Sequence, residues 1–369
     1  HIYRQNICRK MKRTALLTAL LLMLCTAAFA QRFKYTEASD LTLIGKIMDT
    51  PNPYHRVDTC IHKGFTEREN FQLRCGSGLA VVFRTNSSTI TLKNKIGDFH
   101  CGPMTSELGC RGFDLYIKKG GRWIYAGSKV NPEVNDGRTL TLVKDMDGEM
   151  KECMIHFPIY SELLSVRIGV DKDAVIEPIE PPFRHRVAIY GSSFTQGSGV
   201  SRPGMTYPMQ FVRNTGIQLL SVGCGGNGKM QPQYAEMLAK TDVDAMIFDC
   251  FSNPSAELIE ERTIPFIRTI REAHPDIPLI FIRTVYRESR NFSTRFEASE
   301  QAKMDMAKKM MEKAMEEFDD VYFVNPKTLA GYDHETSVDG THPSDMGYYR
   351  WTKAIEKPVL RILHKYGIK

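Results

Sequence analysis

Two rhythms of apolar and polar residues divide the chain. From about Phe33 to Val170 the apolar positions come in short bursts, and Thr89-Ile90-Thr91-Leu92-Lys93 alternates strictly with period two. That period places every second side chain on one face of a half-buried strand. Phe113–Lys118 and Arg122–Tyr125 flank Lys119-Gly120-Gly121, a spacing that predicts a hairpin whose glycines supply positive φ. Thr139–Val143, Cys153–Phe157 and Leu164–Val170 predict further strands, and many short strands separated by turns favour a sandwich or jelly roll.

After Val170 the pattern changes. Glu177-Pro178-Ile179-Glu180-Pro181-Pro182 predicts a stiff linker over residues 177–183. Continuous apolar runs follow at Val187–Tyr190, Ile217–Leu220, Ala245–Phe248, Leu279–Ile282 and Val321–Val324. Helical stretches lie between them, clearest at Ala256–Ala273 and Glu297–Phe318. Apolar strands alternating with helices predict a parallel sheet covered on both faces. The expected layout is therefore an all-β domain over 31–176 and an α/β domain over 184–369.

Residues 1–30 are expected to fall outside both domains. Met11-Lys12-Arg13 forms a basic start, Ala15 to Ala27 an apolar run, and Ala28-Phe29-Ala30 a small-x-small cleavage pattern. This is read as an export signal cut after Ala30, with initiation at Met11 and a periplasmic or extracellular destination. The apolar run is short for a spanning helix, so no stable membrane insertion is expected once it is removed. The leader holds five basic residues (Arg4, Arg9, Lys10, Lys12, Arg13) and no acidic one, so its loss takes the net charge from +6 to +1. That near balance removes the case for a nucleic-acid partner. Seven cysteines remain, an odd number whose pairing is not readable from sequence. No Cys-x-x-Cys or Cys/His spacing points to zinc, and no cofactor is expected.

The candidate chemistry sits where reactive groups gather in an open α/β sheet, beyond the carboxyl ends of the strands. The first strand is followed by Gly191-Ser192-Ser193, the second by Gly223-Cys224-Gly225-Gly226, the third by Cys250-Phe251-Ser252-Asn253. Asp339-Gly340-Thr341-His342 precedes the last helix. Taken singly, each is an ordinary turn or helix cap. Their joint order meets the needs of acyl transfer: Ser193 as nucleophile, His342 as its base, and Asp339 three residues away to orient the ring. The backbone N–H groups of Ser193 and Gly226 and the side-chain amide of Asn253 are candidate oxyanion donors. Arg202, in the loop after the nucleophile, is a candidate substrate contact.

These four blocks resemble those of the SGNH (GDSL-like) hydrolase superfamily. The upstream half is similar to the β domain of one bacterial branch, whose Gly-x-Asp-Leu-Tyr signature stands here as Gly112-Phe113-Asp114-Leu115-Tyr116. The resemblance implies a flavodoxin-like three-layer hydrolase domain preceded by a jelly-roll-like sandwich, and the roles just given to Ser193, Gly226, Asn253, Asp339 and His342. Two blocks depart from the family pattern: Ser192 stands for its aspartate in the first, and Pro254 for its aspartate in the third. The absence of a Gly-x-Ser-x-Gly elbow disfavours an α/β-hydrolase. The expectation is a secreted serine esterase acting on small-molecule or polysaccharide esters, acetylated carbohydrate foremost. The alternatives are a catalytically silent carbohydrate-binding protein, or a lipase, thioesterase or acyltransferase built on the same site.

Overall fold

The computed structural model describes residues 32–326 and 331–369. The expected leader lies outside the described residues. Ten strands form the first half: β1 (Phe33–Glu37), β2 (Thr42–Ile44), β3 (Ala80–Thr85), β4 (Ile90–Phe99), β5 (Phe113–Lys119), β6 (Arg122–Lys129), β7 (Leu140–Val143), β8 (Lys151–His156), β9 (Ser161–Asp171) and β10 (Ile176–Pro178). One sheet has the order β1-β9-β4-β7, the other β10-β3-β8-β5-β6 with β2 also on β3, and all of the pairings are antiparallel. Period-two side chains from both sheets, among them Val81, Phe83, Ile90, Leu92, Leu115, Ile155, Val166 and Ile168, fill one core between them. The start of the expected linker is an edge strand, since Ile176–Pro178 pairs with Phe83–Thr85; proline is tolerated at such an edge because no neighbour needs its N–H.

The second half is a parallel sheet of β11 (Arg186–Gly191), β12 (Gln218–Gly223), β13 (Ala245–Asp249), β14 (Leu279–Ile282) and β15 (Val321–Val324), in the order β12-β11-β13-β14-β15. Alternate residues of β11 enter different cores. Ala188 and Tyr190 join the layer carrying helices Pro232–Leu238, Ala256–Ala273 and Thr294–Glu317, while Val187 and Ile189 join the layer of Tyr207–Thr215 and Asp345–Lys365. Strand order reverses around β11, so its carboxyl end and that of β13 open the crevice where such sheets bind ligands.

The two domains are not simply sequential. The segment between β2 and β3 crosses over, and its Ile47, Val57 and Leu73 lie in the α/β core. Arg56, 0% exposed, donates to the carbonyls of Ser221 (3.1 Å) and Gly223 (3.0 Å) at the end of β12. The helix Glu67–Arg74 starts from a reciprocal cap, with Thr66 and Glu69 satisfying each other's backbone N–H. Gln72 on this helix donates to the Gly225 carbonyl (2.7 Å) and accepts from Asn227 (2.8 Å), so the β domain holds the loop after β12 directly.

Candidate active site

β11 ends at Gly191 and the chain turns at once into the short helix Ser193–Gln196, whose cap is the Ser192 hydroxyl accepting from Phe194 N–H (3.2 Å). Ser193 is therefore held at the mouth of the crevice. Its backbone N–H, in the first turn, has no intrahelical acceptor. Its Oγ lies 3.0 Å from His342 Nε2, and His342 Nδ1 lies 2.8 Å from Asp339 Oδ2. The carboxylate fixes the tautomer: Nδ1 carries the proton, which leaves Nε2 to accept from the serine hydroxyl. The other Asp339 oxygen accepts from the N–H groups of Thr341 (2.9 Å) and His342 (2.7 Å). Partial burial works against ionising Asp339. The His342 backbone N–H, the His342 ring and the Thr341 N–H outweigh it together and hold the carboxyl below its usual range.

The donors converge from two further loops. Gly225 N–H is spent on the Gln196 side chain (2.8 Å), whereas Gly226 N–H has no partner among the described residues. Gly226 has φ +76°, a left-handed conformation that a side chain would strain. Asn253 Oδ1 accepts from Gly228 N–H (3.1 Å), which leaves its NH2 half unengaged among the described residues. Ser193, Gly226, Asn253 and His342 all line one open cleft of about 1200 Å3.

The cleft has a second wall that sequence reasoning did not foresee. Arg68, Phe71 and Arg74 come from the helix Glu67–Arg74, and residues 102–105 from a loop closed by the Cys101–Cys110 disulfide. Thr105 Oγ1 accepts from Gly199 N–H (3.2 Å), fastening that loop to the turn after the nucleophile. Arg287 lines the floor; it donates to the Ser252 carbonyl (2.9 Å) beside Asn253 and pairs with Glu300 (3.1 Å).

Arg202, the candidate substrate contact, stands apart from these residues. It is not among the cleft residues; its guanidinium turns into the β domain, donates to Asp114 and to the Tyr116 hydroxyl, and lies 4.3 Å over the Tyr125 ring. Asp114, fully buried, also accepts from Gly204 N–H at 3.0 Å. The Gly-x-Asp-Leu-Tyr segment and the loop after the nucleophile are thus two halves of one interdomain clamp. Gly204 is required there by close approach: a Cβ on it would meet Asp114 Oδ2 at 2.5 Å. Of the remaining cysteines, Cys60 is exposed and Cys75, Cys153, Cys224 and Cys250 are buried free thiols. Among the described residues, no cluster of three or more His, Cys, Asp or Glu is arranged for a metal ion, and no helix is long and apolar enough to cross a membrane.

An antiparallel β domain followed by a parallel α/β domain, with a serine and histidine at the switch point, defines an ester-hydrolysing enzyme of the SGNH type. The model of the GDSL-like lipase/acylhydrolase family matches residues 184–361, and the GxDLY model, the N-terminus of the SGNH-hydrolase-type esterases, matches 33–176. No curated protein matches the chain. A protein described as a GDSL-like lipase from Bacteroides ovatus ATCC 8483 is 38% identical over 90% of this chain and 98% of its own, with TM-score 0.87. The salicylyl-acyltransferase SsfX3 from a tetracycline biosynthetic pathway is 18% identical, with 90% and 99% covered and TM-score 0.70. A family two carbohydrate esterase from Cellvibrio japonicus is 12% identical, with 90% and 98% covered and TM-score 0.58. The chain belongs to the GDSL-like lipase/acylhydrolase family, in the branch that carries a GxDLY domain.

Proposed function

We propose that the protein is an exported serine esterase that removes short acyl groups from carbohydrate. The observation that carries the reading is the unbroken relay from Ser193 Oγ through His342 (3.0 Å) to Asp339 (2.8 Å). Ser193 Oγ attacks the ester carbonyl while its proton passes to His342 Nε2. The oxyanion forms against Ser193 N–H, Gly226 N–H and Asn253 Nδ2. His342 then protonates the leaving alcohol, and a water deprotonated by the same ring releases the acyl group and restores the serine. Asp339 stays ionised throughout and balances the imidazolium.

The substrate reading rests on the cleft. It is open, most of its lining comes from the β domain, and Phe71, Phe99 and Met104 give it apolar faces of the kind a sugar ring can rest on. The same two-domain fold serves the family two carbohydrate esterase named above. Export is consistent with the Cys101–Cys110 disulfide, since such bonds persist in oxidising compartments. The test is hydrolysis of acetylated oligosaccharides beside long-chain acyl esters, with Ser193→Ala as control. Serine-dependent acetate release supports the reading; turnover of long chains alone refutes the carbohydrate assignment.

A further inference from the structure

We propose that Arg68 is a specificity residue which receives a carboxylate carried by the substrate, on its acyl or its alcohol side, so that acidic esters are preferred over neutral ones. The inference deepens the esterase reading and rests on it.

The helix that carries Arg68 is held in place. Glu69 accepts from Gln231 (2.9 Å) and Gln72 grips Gly225 and Asn227, so the helix Glu67–Arg74 is tied to the hydrolase domain along one side. Arg68 lies one turn before Gln72 and therefore shares its face. Its guanidinium comes within 3.9 Å of the point where a Cβ on Gly226 would stand, beside the proposed oxyanion donor.

Its charge is unspent. Arg74, on the same helix, meets Glu162 (3.1 Å) and Asp98 (3.4 Å), and Arg287 across the cleft meets Glu300 (3.1 Å). Arg68 has no hydrogen-bond or ion-pair partner among the described residues. The adjacent Glu67 also lines the cleft but makes no ion pair with Arg68, being about 100° away round the helix. Arg68 also occupies the second position of its helix, where the helix dipole disfavours a cation. An exposed arginine that gains nothing from its own fold, carried on a tethered helix beside the proposed oxyanion donor, is suited to a planar anion, which its fork can grip with two parallel bonds. A merely solvated arginine would discriminate between no substrates. One acting on the oxyanion itself would accelerate all esters alike.

The experiment measures kcat/KM for paired esters with the wild type, Arg68→Gln and Arg68→Lys. One pair varies the acyl half (4-nitrophenyl acetate and mono-4-nitrophenyl succinate). The other varies the alcohol half (acetylated methyl glucoside and acetylated methyl glucuronoside). In the pair that carries the recognised anion, the acidic-to-neutral ratio falls ~10-fold or more in Arg68→Gln, chiefly through KM, as expected for loss of a charged hydrogen bond. Arg68→Lys keeps part of it, and added salt lowers the wild-type ratio. An unchanged ratio in both pairs, or an equal loss on acidic and neutral members, overturns the proposal. Serine-dependent turnover of 4-nitrophenyl acetate checks the esterase reading separately, so failure of one is not mistaken for failure of the other.

Discussion

Arg202→Met tests the interdomain clamp. The Asp114 side chain is 0% exposed and that of Arg202 18%, so the pair is nearly dry. Without the guanidinium, Asp114 keeps Gly204 N–H as its hydrogen-bond donor and the more distant charge of buried Arg213, but loses its only direct ion pair among the described residues. Breaking such a pair costs about 3–5 kcal/mol, which lowers Tm by roughly 5–15 °C. Burial already pushes the Asp114 pKa up, and removing Arg202 pushes it further. A carboxyl with a raised folded-state pKa contributes stability at low pH that is lost as pH rises, so the defect is smaller under acid and grows toward neutrality. Urea unfolding of both singles and of Arg202→Met with Asp114→Asn closes a double-mutant cycle. The double variant is expected to be more stable than Arg202→Met alone, with a coupling of at least about 1 kcal/mol. A single-variant loss below about 1 kcal/mol, or additive effects, would refute the clamp. A large KM change with unaltered stability would return Arg202 to the substrate.

Three further outcomes are expected. Asn253→Ala lowers kcat about 10²–10³-fold with little change in KM, and a variant with full rate would remove Asn253 from the oxyanion site. Burial pushes the Asp249 carboxyl up to about 6 against the hydroxyls of Tyr207 and Thr195, and its Oδ1 has no partner among the described residues. The stability this group contributes is full below its unfolded pKa of about 3.9 and is lost as pH rises through 6, a swing of about 3 kcal/mol. Asp249→Asn should therefore gain on the wild type by about that amount between pH 4 and 7 in urea melts; a constant difference would contradict it. Cys101→Ser unfastens the loop over residues 102–105, and loss of that pre-organisation raises KM for oligosaccharide esters by roughly 2–10-fold. An unchanged KM would show that the loop stays in place without its bridge.

The parallel sheet was legible because its strands are continuous apolar runs, and the candidates Ser193, Gly226 and Asn253 because each of their blocks stands at a strand end. Asp339 and His342 were legible from their spacing on one loop. The crossover between β2 and β3 was not, since residues 45–65 carry no period and contribute isolated side chains such as Ile47, Val57 and Arg56 to a distant core. The helix Glu67–Arg74 did leave a sign, the Thr66-x-x-Glu69 capping box, which reads as a helix start. The partner of Arg202 was not legible because a polar residue after a nucleophile looks the same in sequence whether it faces substrate or a buried aspartate 88 residues upstream. The second wall of the cleft depends on how two domains dock, and no local pattern encodes that.

The central claim is that Ser193 is the activated nucleophile. Intact-mass spectrometry after treatment with a fluorophosphonate, followed by peptide mapping, addresses it most directly. The account predicts a single phosphonyl adduct on the peptide bearing Ser193, slowed severely in His342→Ala and lost in Ser193→Ala. Folded wild-type protein that takes up no adduct, or carries it on another residue, would contradict the account.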